Sequence, residues 1–299
     1  MDALRILFVL FLISIEAIAQ KDNSLMFKIT GNGLSSPSYL YGTIHFACER
    51  DIDLRILKEI LPSCSRTVLE ITNTEKLIQF KNLEKFVNPS NKAISEYLSP
   101  AEILKLEDAY NEYAYESVDF SQVKNLGPDF FVKAIYYYPK TKCITSSVEQ
   151  MIKNLSIGAR LPVFGIESFS EHFEIDSFHY DDEAVRGRFV ALIKSLDKID
   201  SLKEAGKILY DETSKLYSNG DIEKLYELVV SEMDSVEVYN TLVKRNKTWL
   251  PRMVKIMSKK TTLFAFGAAH FGGETGIINL LRSEGFKVEA YYGKKRNRN

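Results

Sequence analysis

Two short apolar and aromatic runs, each closed by Gly-x-x-His, constrain this chain more than any other feature. The first is Ser38-Tyr-Leu-Tyr-Gly-Thr-Ile-His45 and the second is Leu263-Phe-Ala-Phe-Gly-Ala-Ala-His270. Runs of this length and composition read as buried strands. A glycine at the end of a strand lets the backbone turn tightly or be approached closely. The histidine is then carried to the strand's carboxyl end, where open α/β sheets place their ligands. The chain has four histidines in all, and two of them share this context 270 − 45 = 225 residues apart. The fold is therefore expected to bring two imidazoles to one site.

The intervening pattern places these strands in an α/β frame. Leu25–Ile29 reads as a first strand closed by the Gly31-Asn-Gly33 turn,. Asp53 stands before a helix whose apolar positions run from Leu54 to Leu61, and Thr67–Ile71 is the next strand,. Strand, helix and strand in this order predict a parallel unit. From Asn73 to about Lys140 the chain reads as helical. Ser99-Pro-Ala-Glu102 is a capping box with proline at the first helical position, and Gly127-Pro128 opens a helix rich in aromatics,. Leu161–Glu167 is a further strand. Phe189, Leu192, Ile193, Leu196 and Ile199 then mark the packed face of a long helix, and Asp221 caps another,. After the second Gly-x-x-His come a helix ended by Gly285 and an alternating last strand, Phe286–Tyr291. The expected class is α/β: a mixed or mostly parallel central sheet with a large, mainly helical insertion or cap.

Four strand ends then carry His45, Glu70, Glu167 and His270. A carboxylate inside an apolar strand is expensive to bury unless paired or ligated. Glu70 therefore reads as a metal ligand or a general base, against the plainer reading of an outward-facing edge residue. Arg245 and Trp249, four residues apart, share one helical face. The arginine is placed to hold a carboxylate or stabilise an oxyanion, or else to lie on the helix surface stacked on the ring. His172 and His179, seven apart, read as a solvated helical face rather than as ligands. Two imidazoles with one or two carboxylates suit zinc, manganese, cobalt or iron. There is no P-loop, G-x-G-x-x-G or G-x-S-x-G, so nucleotide binding and serine catalysis lack support,.

Formal net charge is −1, which favours neither nucleic acid nor an acidic partner,. Arg5, the apolar run Ile6–Ile15 and Ala17-Ile-Ala19 form a signal-peptide pattern,. Residues 1–19 are thus expected to direct export and to be removed, leaving no stable membrane span. Residues 20–293 form one domain with a helical middle over about 73–258, and 294–299 form a basic tail. Cys48 and Cys64 flank one helix and are open to pairing in an oxidising compartment, or are buried thiols.

Tyr39-Leu-Tyr-Gly-Thr-Ile-His45 and Gly267-Ala-Ala-His-Phe-Gly-Gly-Glu-Thr-Gly276 resemble the paired signatures of the TraB/GumN family. That family includes plasmid pheromone-shutdown proteins and the animal Tiki metalloproteases, and is grouped with ChaN-like and erythromycin-esterase-like proteins. The acid at Glu70, the Ile166-Glu167 landmark, Gly220-Asp221 and Arg245-Asn-Lys-Thr-Trp249 fit the resemblance as well. Where the family often has a glutamine, this chain has Glu171 and His172. The resemblance implies a metal-dependent hydrolase acting on peptides. His45, His270 and Glu167 would hold a divalent metal, Glu70 and Arg245 would be catalytic, and Asn246 and Trp249 would bind substrate. A non-catalytic protein of the same fold, binding haem, another cofactor or a peptide, is the alternative.

Overall fold

A computed structural model describes residues 23–45, 47–48, 52–72, 92–114, 119–137, 145–168, 171–172 and 182–293. Its frame is a six-stranded sheet in the order β6-β4-β7-β2-β1-β8. The strands are β1 (Met26–Gly31), β2 (Ser38–Thr43), β4 (Arg66–Leu69), β6 (Val163–Gly165), β7 (Thr262–Gly267) and β8 (Phe286–Ala290). β6, β4, β7 and β2 are mutually parallel, whereas β1 runs against both β2 and β8. The sheet is mixed and mostly parallel, as the strand–helix–strand order predicts. β2 and β4 do not pair directly, because β7 from the far end of the chain lies between them.

The centre of the sheet explains the two defining runs. β7 is flanked by β4 and β2, and Leu263 to Phe266 are wholly buried. A parallel strand covered on both faces needs an unbroken apolar run rather than alternation. At the β8 edge alternation returns: Phe286 and Val288 face the core while Lys287 and Glu289 face outward,. Helices α1 (Arg55–Ile60), α3 (Val148–Gly158), α6 (Ile222–Ser231), α7 (Arg245–Met257) and α8 (Ile277–Ser283) contribute to the sheet's core. Asp53 accepts from the Arg55 backbone N–H at 3.0 Å but stands two residues before the helix start, and the N-cap position itself is taken by Leu54.

The cap has a core of its own. α2 (Pro100–Tyr113), with the Ser99–Glu102 capping box formed, packs with α4 (Asp182–Ser195) and the short helices Phe120–Val123 and Pro128–Val132. Tyr110, Phe120, Phe131 and Phe189 form its centre, so the aromatic stripe is packing. The 20-residue α5 (Ile199–Ser218) links the two cores. Ile199 packs on the cap, while Tyr217 is buried against the sheet and donates to Gly42 O at 2.9 Å. A two-residue ladder, β3 (Ala47–Cys48) with β5 (Thr145–Ser146), ties the first histidine's loop to the start of α3.

The Cys48–Cys64 pairing is not made. Cys64 is a buried, unbridged thiol whose pKa burial pushes up to about 12, whereas Cys48 is disulfide-bonded. The segment expected to direct export, the expected basic tail, residues 73–91 and His179 lie outside the described residues.

Candidate metal centre

Spatial order in the sheet turns four separate sequence positions into one edge. Along β6-β4-β7-β2 the residues just beyond the carboxyl ends include Glu167, Glu70, His270 and His45 in turn. Thr43 is opposite Gly267, so the two Gly-x-x-His turns leave the sheet side by side. Their glycines allow this. A Cβ on Gly42 would meet the Ala268 Cβ at 3.1 Å, and one on Gly267 would meet Glu70 Oε1 at 3.2 Å. Gly267 N–H donates to that oxygen at 2.7 Å. The glycine thus brings backbone and carboxylate into contact.

Arg245 enters from α7, immediately after the π-helical stretch Tyr239–Lys244. Such wide turns recur at functional sites. The guanidinium is buried, 4.6 Å over the Trp249 ring. Its Nη2 donates to Glu70 Oε2 and to Glu167 Oε1, both at 2.6 Å, and lies 3.0 Å from His172 Nδ1. The helix-surface reading of Arg245 fails, because the ring on which it stacks is itself fully buried. Glu167 spends its remaining capacity on Trp249 Nε1 at 2.8 Å and on His172 Nδ1 at 2.7 Å.

These contacts set the charges. Burial raises the Glu70 pKa, but Arg245, and then His270, His172 and His45, hold it well below the usual carboxylate range,. Glu167 is likewise lowered: burial opposes ionisation and the contacts with His172 and Arg245 outweigh it. His270 moves the other way. Burial drives its pKa down to about 3, with Glu70 opposing and Arg245 adding to the fall, so the ring is neutral near pH 7.

The Asn246 amide fixes the tautomer of that neutral ring. Its Nδ2 donates to His270 O at 3.0 Å and Thr275 O at 2.9 Å, so Oδ1 is the atom 2.7 Å from His270 Nδ1. Nδ1 must therefore carry the proton, and the Nε2 lone pair faces the site, 3.3 Å from Arg245 Nη1 and 3.9 Å from Glu70 Oε1,. Trp249 packs on the same ring at 4.5 Å. Asn246 and Trp249 are both buried, with their polar atoms engaged by protein groups, so they stand behind the site rather than on its open side.

Two sets of atoms compare as metal ligands. Glu70, Glu167 and His172 offer atoms within 4.8 Å of one another, but Arg245 Nη2 already stands among them. Ligand bonds of about 2.1 Å leave no room for a divalent ion and this nitrogen together. At His270 Nε2 and Glu70 Oε1 the guanidinium crowds less, with Arg245 Nη1 3.3 Å from Nε2 against contacts of 2.6 Å in the first set. Two ligands of one tetrahedral ion are about 3.4 Å apart, a few tenths of an ångström from the 3.9 Å seen here. His45 is more exposed, at 68% for its side chain, with Nδ1 3.4 Å from Glu149 Oε1.

Glu149 was not singled out by the sequence. His172 was expected on a solvated face and instead touches Glu167 and Arg245. The overlooked signal is Ser168-x-x-Glu171, a capping box that starts a helical turn directly after β6,. Arg252 clamps Glu171 at 2.5 Å and Ile166 O at 2.9 Å, fixing this turn. Glu149 has the appearance of an ordinary first-turn acid, and no local pattern separates it from one.

The sequence matches the model of the TraB/PrgY/gumN family over residues 25–290. Among curated proteins, it is 26% identical to a Metalloprotease TIKI homolog of Nematostella vectensis over 38% of this chain and 26% of that protein. It is 27% identical to the homolog of Amphimedon queenslandica over 33% of this chain and 24% of that protein. For Metalloprotease TIKI1 of Danio rerio the identity is 32%, over 24% of this chain and 15% of that protein. The matched stretches thus span about a quarter or less of these relatives' length. No solved structure matches the chain.

Proposed function

Because the chain belongs to the TraB/PrgY/gumN family, we propose that it is an exported, metal-dependent hydrolase of peptides. The observation that carries this reading is the neutral His270 Nε2, 3.9 Å from Glu70 Oε1 at the carboxyl edge of the sheet's parallel strands. Similarity to proteins named metalloproteases supports the peptide substrate. The Ile6–Ile15 run and Ala17-Ile-Ala19 support export,. Among the described residues, no helix is long and apolar enough to cross a membrane.

In this reading His270, His45 and Glu70 would hold a divalent ion of the class zinc, manganese, cobalt or iron. A divalent ion so held would lower the pKa of a bound water to about 7 and polarise a carbonyl. Glu167, expected among the ligands, instead anchors Arg245, since its oxygens are taken by Arg245, His172 and Trp249. Arg245 keeps Glu70 ionised, which suits it to bind an ion and weakens it as a proton acceptor,. Asn246 holds His270 in its ligating tautomer, and Trp249 supports both the ring and the guanidinium.

Glu70→Gln tests the reading on a chelator-sensitive peptide cleavage. A base role leaves metal bound and lowers the rate about 10²–10⁴-fold, while a ligand role removes metal as well. Unchanged cleavage and metal content would contradict both. One observation favours the second reading, a non-catalytic peptide- or cofactor-binding protein. Arg245 already pairs with both buried carboxylates, at 2.6 Å each. Ligand binding untouched by chelation, with no hydrolysis, would establish it.

A further inference from the structure

The loop that carries His45 is fastened to the start of α3 by independent ties. The β3–β5 ladder pairs Ala47 with Ser146 and Cys48 with Thr145. Val148 N–H donates to Ile44 O at 3.2 Å, one residue before the histidine. Thr43 Oγ1 donates to Glu149 Oε1, and Ser147 Oγ to Glu149 Oε2, both at 2.6 Å. A first-turn acid that merely caps a helix turns its carboxylate toward solvent or free backbone N–H groups. Glu149 instead turns inward, its side chain 16% exposed, and reaches across to the ring of His45 at 3.4 Å.

We propose that Glu149 is a positioning residue for the metal centre: it holds His45 Nδ1–H and thereby aims the Nε2 lone pair outward to the ion. The proposal rests on the reading of His45 as a ligand. Each carboxylate oxygen is fixed by one hydroxyl donor, and Oε1 keeps a lone pair for the ring,. A solvent-exposed imidazole without such a partner rotates freely and, when neutral, places its proton on Nε2, which blocks ligation there. A carboxylate bonded to Nδ1 selects the opposite tautomer and fixes the ring plane. The two histidines would then be oriented by different devices. His270 is held in the core by an amide, and His45 is held at the rim by a carboxylate.

The test uses the full mature protein and two readouts. Long-range ¹H–¹⁵N correlation of the imidazoles in metal-free protein should find His45 as the Nδ1–H tautomer. In Glu149→Ala it should move to Nε2–H, and in Glu149→Gln, whose amide oxygen still accepts, it should stay. Zinc alone, titrated against a competing dye, should bind about 10–100-fold more weakly to Glu149→Ala, the usual effect of losing an outer partner. In a His45→Ala background the same change should alter zinc affinity less than about twofold. A purely structural role predicts equal losses in both backgrounds. The proposal is overturned by an Nε2–H His45 in the wild type, by an unchanged tautomer in Glu149→Ala, or by equal zinc losses with and without His45. The wild-type spectrum decides even if the alanine variant fails to fold. A wild type that binds no zinc would refute the metal reading, while the tautomer separately decides whether Glu149 orients His45.

Discussion

Replacing Arg245 by methionine keeps the aliphatic stem over Trp249 and deletes the cation between two buried carboxylates. Each Nη2–oxygen contact is 2.6 Å. At an effective dielectric constant of 20, that distance corresponds to about 6 kcal/mol of gross attraction per pair. Most of this is offset by desolvation of the ions, and removing one partner of a buried pair costs about 3–5 kcal/mol net. The loss should depend on pH. In the wild type the folded pKa values of Glu70 and Glu167 are lowered, so their stabilisation is present above their ordinary range and lost as pH falls. In Arg245→Met the two carboxylates repel, one pKa rises, and stability is instead lost as pH rises. The deficit should be about 3–5 kcal/mol at pH 7 and shrink toward pH 4. Urea unfolding of chelated protein across that range measures it. Zinc at 100 times its Kd should then restore about 2.7 kcal/mol. A deficit under about 1 kcal/mol, or one that does not vary with pH, would refute the argument.

Asn246→Ala should leave the fold standing but release the His270 tautomer, weakening metal binding about 10–100-fold; unchanged affinity in a dye-competition titration would contradict that role. The His270 pKa, about 3 in the folded chain against an ordinary 6.5, makes the unfolded chain bind the extra proton as pH falls below 6.5. Stability of the metal-free protein should therefore decline between pH 6.5 and 4.5 with a slope of up to about 1.4 kcal/mol per unit, and His270→Gln should flatten that slope in urea titrations. Gly276→Ala should not fold, because its Cβ would sit 2.2 Å from Phe271 O and 2.3 Å from Gly272 O; a circular dichroism melt like the wild type's would refute this.

The centre of the sheet was legible because β2 and β7 lie in the buried apolar runs that a doubly covered parallel sheet demands, and the β8 edge because it alternates. The four strand-end residues followed from the same pattern, and the sheet order puts them in a row. The insertion of β7 between β2 and β4 was hidden, since no local signal tells a strand which neighbour it will take over two hundred residues away. Glu167 was located, yet the fate of its oxygens was not, because that depends on how Arg245 and Trp249 reach it from α7. Asn246 and Trp249 read as substrate contacts for the same reason: adjacency to Arg245 does not reveal that both are buried. Glu149 has no periodic signature, and the seven-residue spacing of His172 and His179 pointed to a solvated face. Glu149 and His172 matter through side-chain contacts with groups brought near by the fold, and only the Ser168-x-x-Glu171 cap hinted at where the turn bearing His172 begins.

The central claim is that His270 and His45 hold one divalent ion with Glu70. Equilibrium dialysis against zinc, read by elemental analysis, tests it most directly on wild type, His270→Ala and the His45→Ala/His270→Ala double variant. One equivalent should remain on the wild type, less on His270→Ala and none on the double variant, with all three equally folded by circular dichroism. A double variant that retains the wild-type equivalent would contradict the assignment.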